Sequence, residues 1–87
     1  MSKANDLVFV LRAKNRIKIL EVLKDNKLIS KQIEEKTGMY KSHVSRTLKE
    51  LISKELVKCI NPEDRNFRFY EITNKGKIIF NEILKIK

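Results

Sequence analysis

Two glycines and one proline punctuate this chain of 87 residues: Gly38, Gly76 and Pro62. Glycine and proline are the strongest local breakers of regular structure. A chain with so few encodes mostly helix joined by short connections. Apolar residues at helical spacing (Val10, Leu11, Ile17, Leu20, Leu23) predict helix from about Asp6 to Asn26, capped by Asn5 or Asp6. A break near Ala13–Asn15 would divide it into a short lead-in helix and a main one, and Asp25-Asn26-Lys27 reads as the exit turn.

Ser30 is a good N-cap for a short helix over Lys31 to Lys36, with Ile33 as its core residue. Thr37-Gly38-Met39 stops that helix, because glycine adopts the left-handed conformation of helix ends at little cost. A third helix is expected from Tyr40 to Lys54. Val44, Leu48, Leu51 and Glu55 share one side of it, Ser42, Arg46, Lys49 and Ser53 stand opposite, and His43 and Ser45 flank them. Leu56 to Ile60 and Phe67 to Ile72 read as strands. The turn chemistry of Asn61-Pro62-Glu63-Asp64-Arg65-Asn66 joins them into a hairpin with a charged tip. Thr73 then caps a final helix.

Size and charge narrow the function. A chain this short buries about 60–65% of the surface its unfolded form exposes, which leaves a small core and little room for a dedicated ligand pocket. Lys plus Arg is 20 against 11 for Asp plus Glu, a net charge of +9, and each third of the chain carries a basic surplus. A detachable basic tail is therefore not the source. Hydrophobic residues at 41% suit a folded domain. A compact basic domain, taken as one unit over residues 1–87, points to a polyanionic partner, most often nucleic acid.

Other classes fall away. The longest apolar run, Leu7–Leu11, is far short of the roughly 20 residues of a membrane span and of a signal-peptide core, so a cytoplasmic protein is expected. One cysteine, Cys59, and one histidine, His43, make neither a disulfide nor a zinc site. Cys59 is expected as a buried core thiol. No glycine-rich phosphate loop, nucleophile–base pair or carboxylate pair stands out, so no enzyme, metal or cofactor is expected.

Two helices joined by a short glycine-containing turn are the mark of a helix-turn-helix. Its second helix enters the major groove with one side free, and near its start that side must be small and polar to approach base edges. Ser42, His43, Ser45 and Arg46 meet the requirement; arginine is the best single reader of guanine because its fork matches O6 and N7. Lys41 and Lys49 suit phosphates, and Tyr40 is either turn packing or a phosphate donor. The basic run Arg12–Lys18 reads as a solvated helix face that comes near backbone phosphates. The hairpin fits as a wing, with Arg65 and Arg68 bracketing a tip that reaches a narrow minor groove or a phosphate. Asp64 is expected to orient a neighbouring arginine.

The segments "ISKQIEEKTGMYKSHVSRTLKELISKELV" and "NPEDRNFRFYEITNKG" resemble the helix-turn-helix, wing and closing-helix start of the MarR-like winged-helix regulators and their small archaeal relatives. The likeness runs over Ser30–Gly76, a little over half the chain. It implies an α+β, mostly helical winged helix-turn-helix and a dimeric DNA-binding repressor or activator. It also implies base reading from Ser42, His43, Ser45 and Arg46 and wing contacts from Arg65 and Arg68. Glu55 and Asn66 depart from the pattern, standing where glycines are common. The chain is also much shorter than full MarR proteins, whose long extra helices build their dimer interface and ligand pocket.

On the final helix, Ile79, Ile83 and Ile86 form one stripe and Phe80 and Leu84 an adjacent one. The arc of about 160° exceeds the roughly 100° that one core contact needs. Ile79, Ile83 and Ile86 with Leu7, Val8 and Val10 are the candidate homodimer interface. The leading reading is a dimeric, sequence-specific double-stranded DNA regulator. Its recognition helices, about residues 40–54, would occupy successive major grooves, with the 61–66 wings on the adjacent minor groove or backbone. Two alternatives stay open: a winged helix for protein or RNA contacts, with Phe67, Phe69 and Tyr70 as stacking candidates, and a sequence-tolerant architectural DNA-binding protein.

Overall fold

The structure, a computed structural model, describes residues 3–86. Five helices and three short strands follow one another: α1 (Lys3–Leu11), α2 (Lys14–Leu23), β1 (Leu28–Ile29), α3 (Ser30–Thr37), α4 (Lys41–Ser53), β2 (Val57–Cys59), β3 (Phe69–Ile72) and α5 (Asn74–Ile86). The strands form one antiparallel sheet in the order β1-β3-β2. This is a winged helix-turn-helix, as the order of elements implied. The expected break in the first helical segment falls at Arg12–Ala13.

The core draws on every helix and on the sheet. Val10 of α1, Ile19, Leu20 and Leu23 of α2, Ile33 of α3, Val44, Leu48 and Leu51 of α4, and Ile79, Phe80 and Ile83 of α5 meet around it. Leu28, Val57 and Ile72 close it from the sheet side. Among the described residues no helix is long and apolar enough to cross a membrane.

Several local expectations change for tertiary reasons. Strand β1 was not foreseen: two residues are too short for an alternating pattern. It exists because Leu28 and Ile29 pair with Tyr70 and Phe69. That pairing keeps Ile29 extended, so α3 starts at Ser30. Ser30 is thus the first helical residue and not the cap. The Ile29 N–H donates to Gln32 Oε1 at 3.0 Å, a cap supplied from inside the helix. Asp6 is not the cap of α1 either. It lies within the helix, 1% exposed, with Lys75 Nζ of α5 at 3.1 Å from its Oδ2. Lys75 also donates to the Lys54 carbonyl at 3.0 Å, so one ammonium touches α1 and the end of α4. Cys59 is half-buried rather than a core thiol, because it ends β2 opposite Tyr70, on the side of the hairpin that leads into the wing loop.

Other expectations hold. Gly38 ends α3 at φ 74° with its N–H on the Glu34 carbonyl at 2.8 Å. The Thr73 hydroxyl accepts from the Gly76 N–H at 3.0 Å and so caps α5. Gly76 is also where α5 meets the end of β3 and the residue before β2: a Cβ there would collide with the Leu56 carbonyl and the Ile72 side chain.

The end of α4 is the strained point. The Leu56 N–H donates to the Leu51 carbonyl at 3.0 Å and the Glu55 N–H to the Ile52 carbonyl at 2.9 Å. This is the paired bonding of a Schellman cap, which needs a left-handed residue just past the helix. Glu55 fills that position at φ 61°, among the described residues the one non-glycine with positive φ. A Cβ in this conformation costs about 1–2 kcal/mol. Glu55→Gly is therefore expected to raise unfolding stability by about 0.5–1 kcal/mol, once the greater freedom of glycine in the unfolded chain is subtracted. Urea denaturation checks it: a midpoint unchanged or lowered would mean that the αL position carries no strain.

Candidate nucleic-acid interface

Helix α4 has two unlike sides because the core claims only one. Val44, Thr47, Leu48 and Leu51 are buried, while Lys41, Ser42, His43, Ser45, Arg46 and Lys49 are all exposed. The six side chains singled out from sequence on this helix thus share its solvent face. Thr47 was missed: it reads as polar, yet it lies one residue from Leu48 on the buried arc. The turn before α4 is held by side chain and backbone together. The Thr37 hydroxyl donates to the Ile33 carbonyl at 2.7 Å and accepts from the Met39 N–H at 3.2 Å. Met39 packs into the core. Tyr40 does not pack; it is 76% exposed at the cap position of α4, edge-on to His43 with ring centroids 5.8 Å apart.

The wing tip is ordered by its own side chains. Asp64 Oδ1 accepts the N–H groups of Asn66 at 2.8 Å and Phe67 at 2.9 Å. Asn61 bridges the loop, donating from Nδ2 to the Phe67 carbonyl at 2.8 Å and accepting the Phe69 N–H at 2.7 Å. Arg68 Nε donates to the Asp64 carbonyl at 2.8 Å. Asp64 does hold a neighbouring arginine, but through its backbone; its carboxylate organises the turn. The backbone N–H groups of Phe67 and Asn66, with Arg68 nearby, hold its carboxyl below the ordinary aspartate value. Arg65 and Arg68 are both exposed.

The second helix of the helix-turn-helix thus presents an exposed polar face beside an arginine-bearing wing. The family model of the N-terminal domain of the methanogenesis regulatory protein FilR1 matches residues 4–86. The chain belongs to that family. No curated protein matches it in sequence. Among solved structures it is similar to the MarR family transcription regulator SP03579, with 25% identity and a TM-score of 0.73 over 88% of this chain and 58% of that one. It is also similar to NMB1585, a MarR family regulator of Neisseria meningitidis, with 27% identity and a TM-score of 0.73 over 84% of this chain and 53% of that one. The homodimeric winged helix-turn-helix DNA-binding domain of Mb0332 from Mycobacterium bovis superposes at a TM-score of 0.78, with 21% identity over 97% of this chain and 77% of that one. This member of the FilR1 N-terminal family thus spans little more than half the length of the MarR-type chains it matches.

The candidate interface between copies divides in this fold. Val10, Ile79 and Ile83 are at most 1% exposed within the protomer, so they are core and not surface. Leu7 is half-buried against that core, whereas Val8 is 51% and Ile86 61% exposed. Leu11 of α1 and Leu84 of α5 are exposed as well. The arc on α5 was wide because the helix meets α1, α2 and the sheet at once.

Some cations are already engaged. Arg16 is not part of a solvated face: its Nε lies 3.1 Å from Glu50 of α4, it donates to the Phe9 carbonyl, and its guanidinium stacks 3.7 Å over the Phe9 ring. No sequence signal separated Arg16 from its neighbours in the basic run; only the packing of α2 against both α1 and α4 selects it. Lys58 pairs across the sheet with Glu71 at 3.8 Å.

The wing allows a direct test. Asp64→Ala is expected to leave the core intact while speeding amide exchange at Asn66 and Phe67 in NMR. Unchanged exchange would remove Asp64 as the organiser. Because the folded carboxyl titrates below its unfolded value near 4, its contribution is complete above about pH 5 and is lost as pH falls through the lower folded value. The same two amides in the wild type should therefore keep their protection through the ordinary aspartate value near 4 and lose it only as pH falls through the lower folded value.

Proposed function

We propose that this chain is a sequence-specific double-stranded DNA-binding transcriptional regulator acting as a homodimer. The observation that carries the reading is the division of α4: four residues fix it to the core and the opposite face is entirely polar or basic. Such a helix can lie in the major groove without leaving apolar side chains in water. Arg46 is assigned to a base edge, with Ser42, His43 and Ser45 close enough to the groove floor to select among bases. Lys41, Lys49 and Tyr40 are assigned to phosphates, and Arg65 and Arg68 to the adjacent minor groove or its backbone. The family and the regulators among its structural neighbours support the same role. Single-strand RNA stacking is less well served, since Phe69 and Tyr70 are half-buried.

Pairing through α1 and the end of α5 is the dimer the surface favours, because these packed helices present Val8, Leu11, Leu84 and Ile86 to solvent. Two-fold symmetry would set two recognition helices about 34 Å apart, the repeat of successive major grooves. The homodimeric Mb0332 domain is a precedent in the same fold.

The deciding experiment is binding to the DNA upstream of its own gene and to a scrambled duplex of equal length, across a salt series. A preference of about a thousandfold with a steep salt slope is the expected result. Equal binding to both would favour a sequence-tolerant protein, and none at low salt would end the nucleic-acid reading. Arg46→Ala should cost about 1–3 kcal/mol on the preferred duplex and relax one base position, whereas Lys49→Ala should weaken all duplexes alike and lower the slope by about one unit. Equal loss on every sequence would take base reading away from Arg46. Val8→Glu should shift the sedimentation coefficient from dimer to monomer while the circular dichroism spectrum stays that of the folded chain. A dimer that persists would place the interface elsewhere.

A further inference from the structure

Phe67 lies in the wing with 60% of its surface exposed. It is not loosely held. Its N–H is bonded to the Asp64 carboxylate and its carbonyl to Asn61 Nδ2, so a fixed backbone presents the ring outward. Beside it runs a cleft of about 410 Å³ between the wing and the starts of α3 and α4. Lys31, Lys41, Arg65 and Arg68 line this cleft, against one carboxylate, Glu34. Among the described residues none of the four cations has a salt bridge, unlike Arg16, Lys58, Lys75 and Lys85. The nearby acid Asp64 is committed to backbone N–H groups of the wing.

An occupant matched to four cations and one exposed ring carries several negative charges with apolar faces between them. A deoxyribose-phosphate strand has that character: regularly spaced phosphates separated by the faces of the sugars. The geometry also singles out which strand. If α4 fills the major groove and the wing meets the neighbouring minor groove, the backbone dividing those grooves passes between α4 and the wing. This cleft is the gap between them.

We infer that the cleft seats one sugar-phosphate strand of the bound duplex, with Lys31 on a phosphate and Phe67 packed against a deoxyribose. This deepens the DNA-binding reading and rests on it. It assigns two residues beyond the recognition helix and the wing arginines. Lys31 belongs to α3, outside the recognition helix. Phe67 follows the wing arginine as an apolar anchor, which fixes how deeply the wing settles. The sugar contact is indifferent to base identity, so Phe67 contributes affinity on every duplex and no sequence preference.

The test uses the full chain and fluorescence anisotropy with two 30-base-pair duplexes, one from its own upstream region and one scrambled, over a salt series. Lys31→Ala is expected to reduce the slope of log affinity against log salt by about 0.9, the release accompanying one phosphate contact. Phe67→Ala is expected to weaken both duplexes about fivefold with the slope unchanged, as loss of an apolar contact requires. Phe67→Leu should recover most of that loss, and all three variants should melt with the wild type because both positions are exposed. Wild-type affinity and slope in Lys31→Ala and Phe67→Ala would overturn the cleft while leaving the DNA reading in place. A wild-type chain that binds neither duplex would overturn both and turn the cleft toward an acidic protein segment.

Discussion

Burial of one side of α4 is the constraint on which the rest of the structure depends. Val44, Leu48 and Leu51 contribute about 1.5–3 kcal/mol each by leaving water, and Thr47 fills the same seam. Those contacts fix the rotation of the helix about its axis. The rotation in turn decides which side chains face outward, so the core and the candidate reading surface are two results of one packing event. Turning α4 by a third of a revolution would bury Arg46 or Lys49 and expose a leucine. Neither outcome is affordable in a core this small.

The ends of α4 are held as firmly as its side. At the start, Thr37 ties the turn to α3 and Gly38 supplies the left-handed backbone. At the finish, the Schellman bonds through Glu55 and Leu56 turn the chain into β2, and Lys75 donates to the Lys54 carbonyl. Arg16 adds a lateral strut from the α1–α2 junction to Glu50. In the proposed complex a helix positioned in this way would lose little further freedom, which lowers the entropic cost of association. The wing follows the same logic on a smaller scale. Asn61 and Asp64 satisfy its backbone before any partner arrives, and its acidic residue therefore serves order at the tip.

Charge is partitioned by the fold. The net charge of +9 says only that cations exceed anions. Arg16, Lys58, Lys75 and Lys85 are matched with carboxylates inside the protein. Lys31, Lys41, Arg65 and Arg68 line one cleft beside the start of α4 and have no such partner among the described residues. Basic residues that look alike in sequence thus separate into ion-paired ones and a concentrated positive surface, and for Arg16, Lys58 and Lys75 the difference lies in what the neighbouring elements bring near them.

The sequence by itself determined the order of elements, the turn at Gly38, the cap at Thr73 and the two-sided character of α4. These follow from local chemistry: helical spacing of apolar residues, one backbone conformation that glycine favours, and a hydroxyl placed to accept a helix N–H. Tertiary structure alone decided the β1 strand, the burial of Asp6, the role of Arg16 and the allotment of Val10, Ile79 and Ile83 to the core. Each of these depends on a partner distant in sequence: Phe69 and Tyr70 for β1, Lys75 for Asp6, Glu50 for Arg16. Periodicity marks how wide an apolar arc is. Only packing decides whether that width serves the protomer or another surface, because α5 meets two helices and a sheet at angles the sequence does not state.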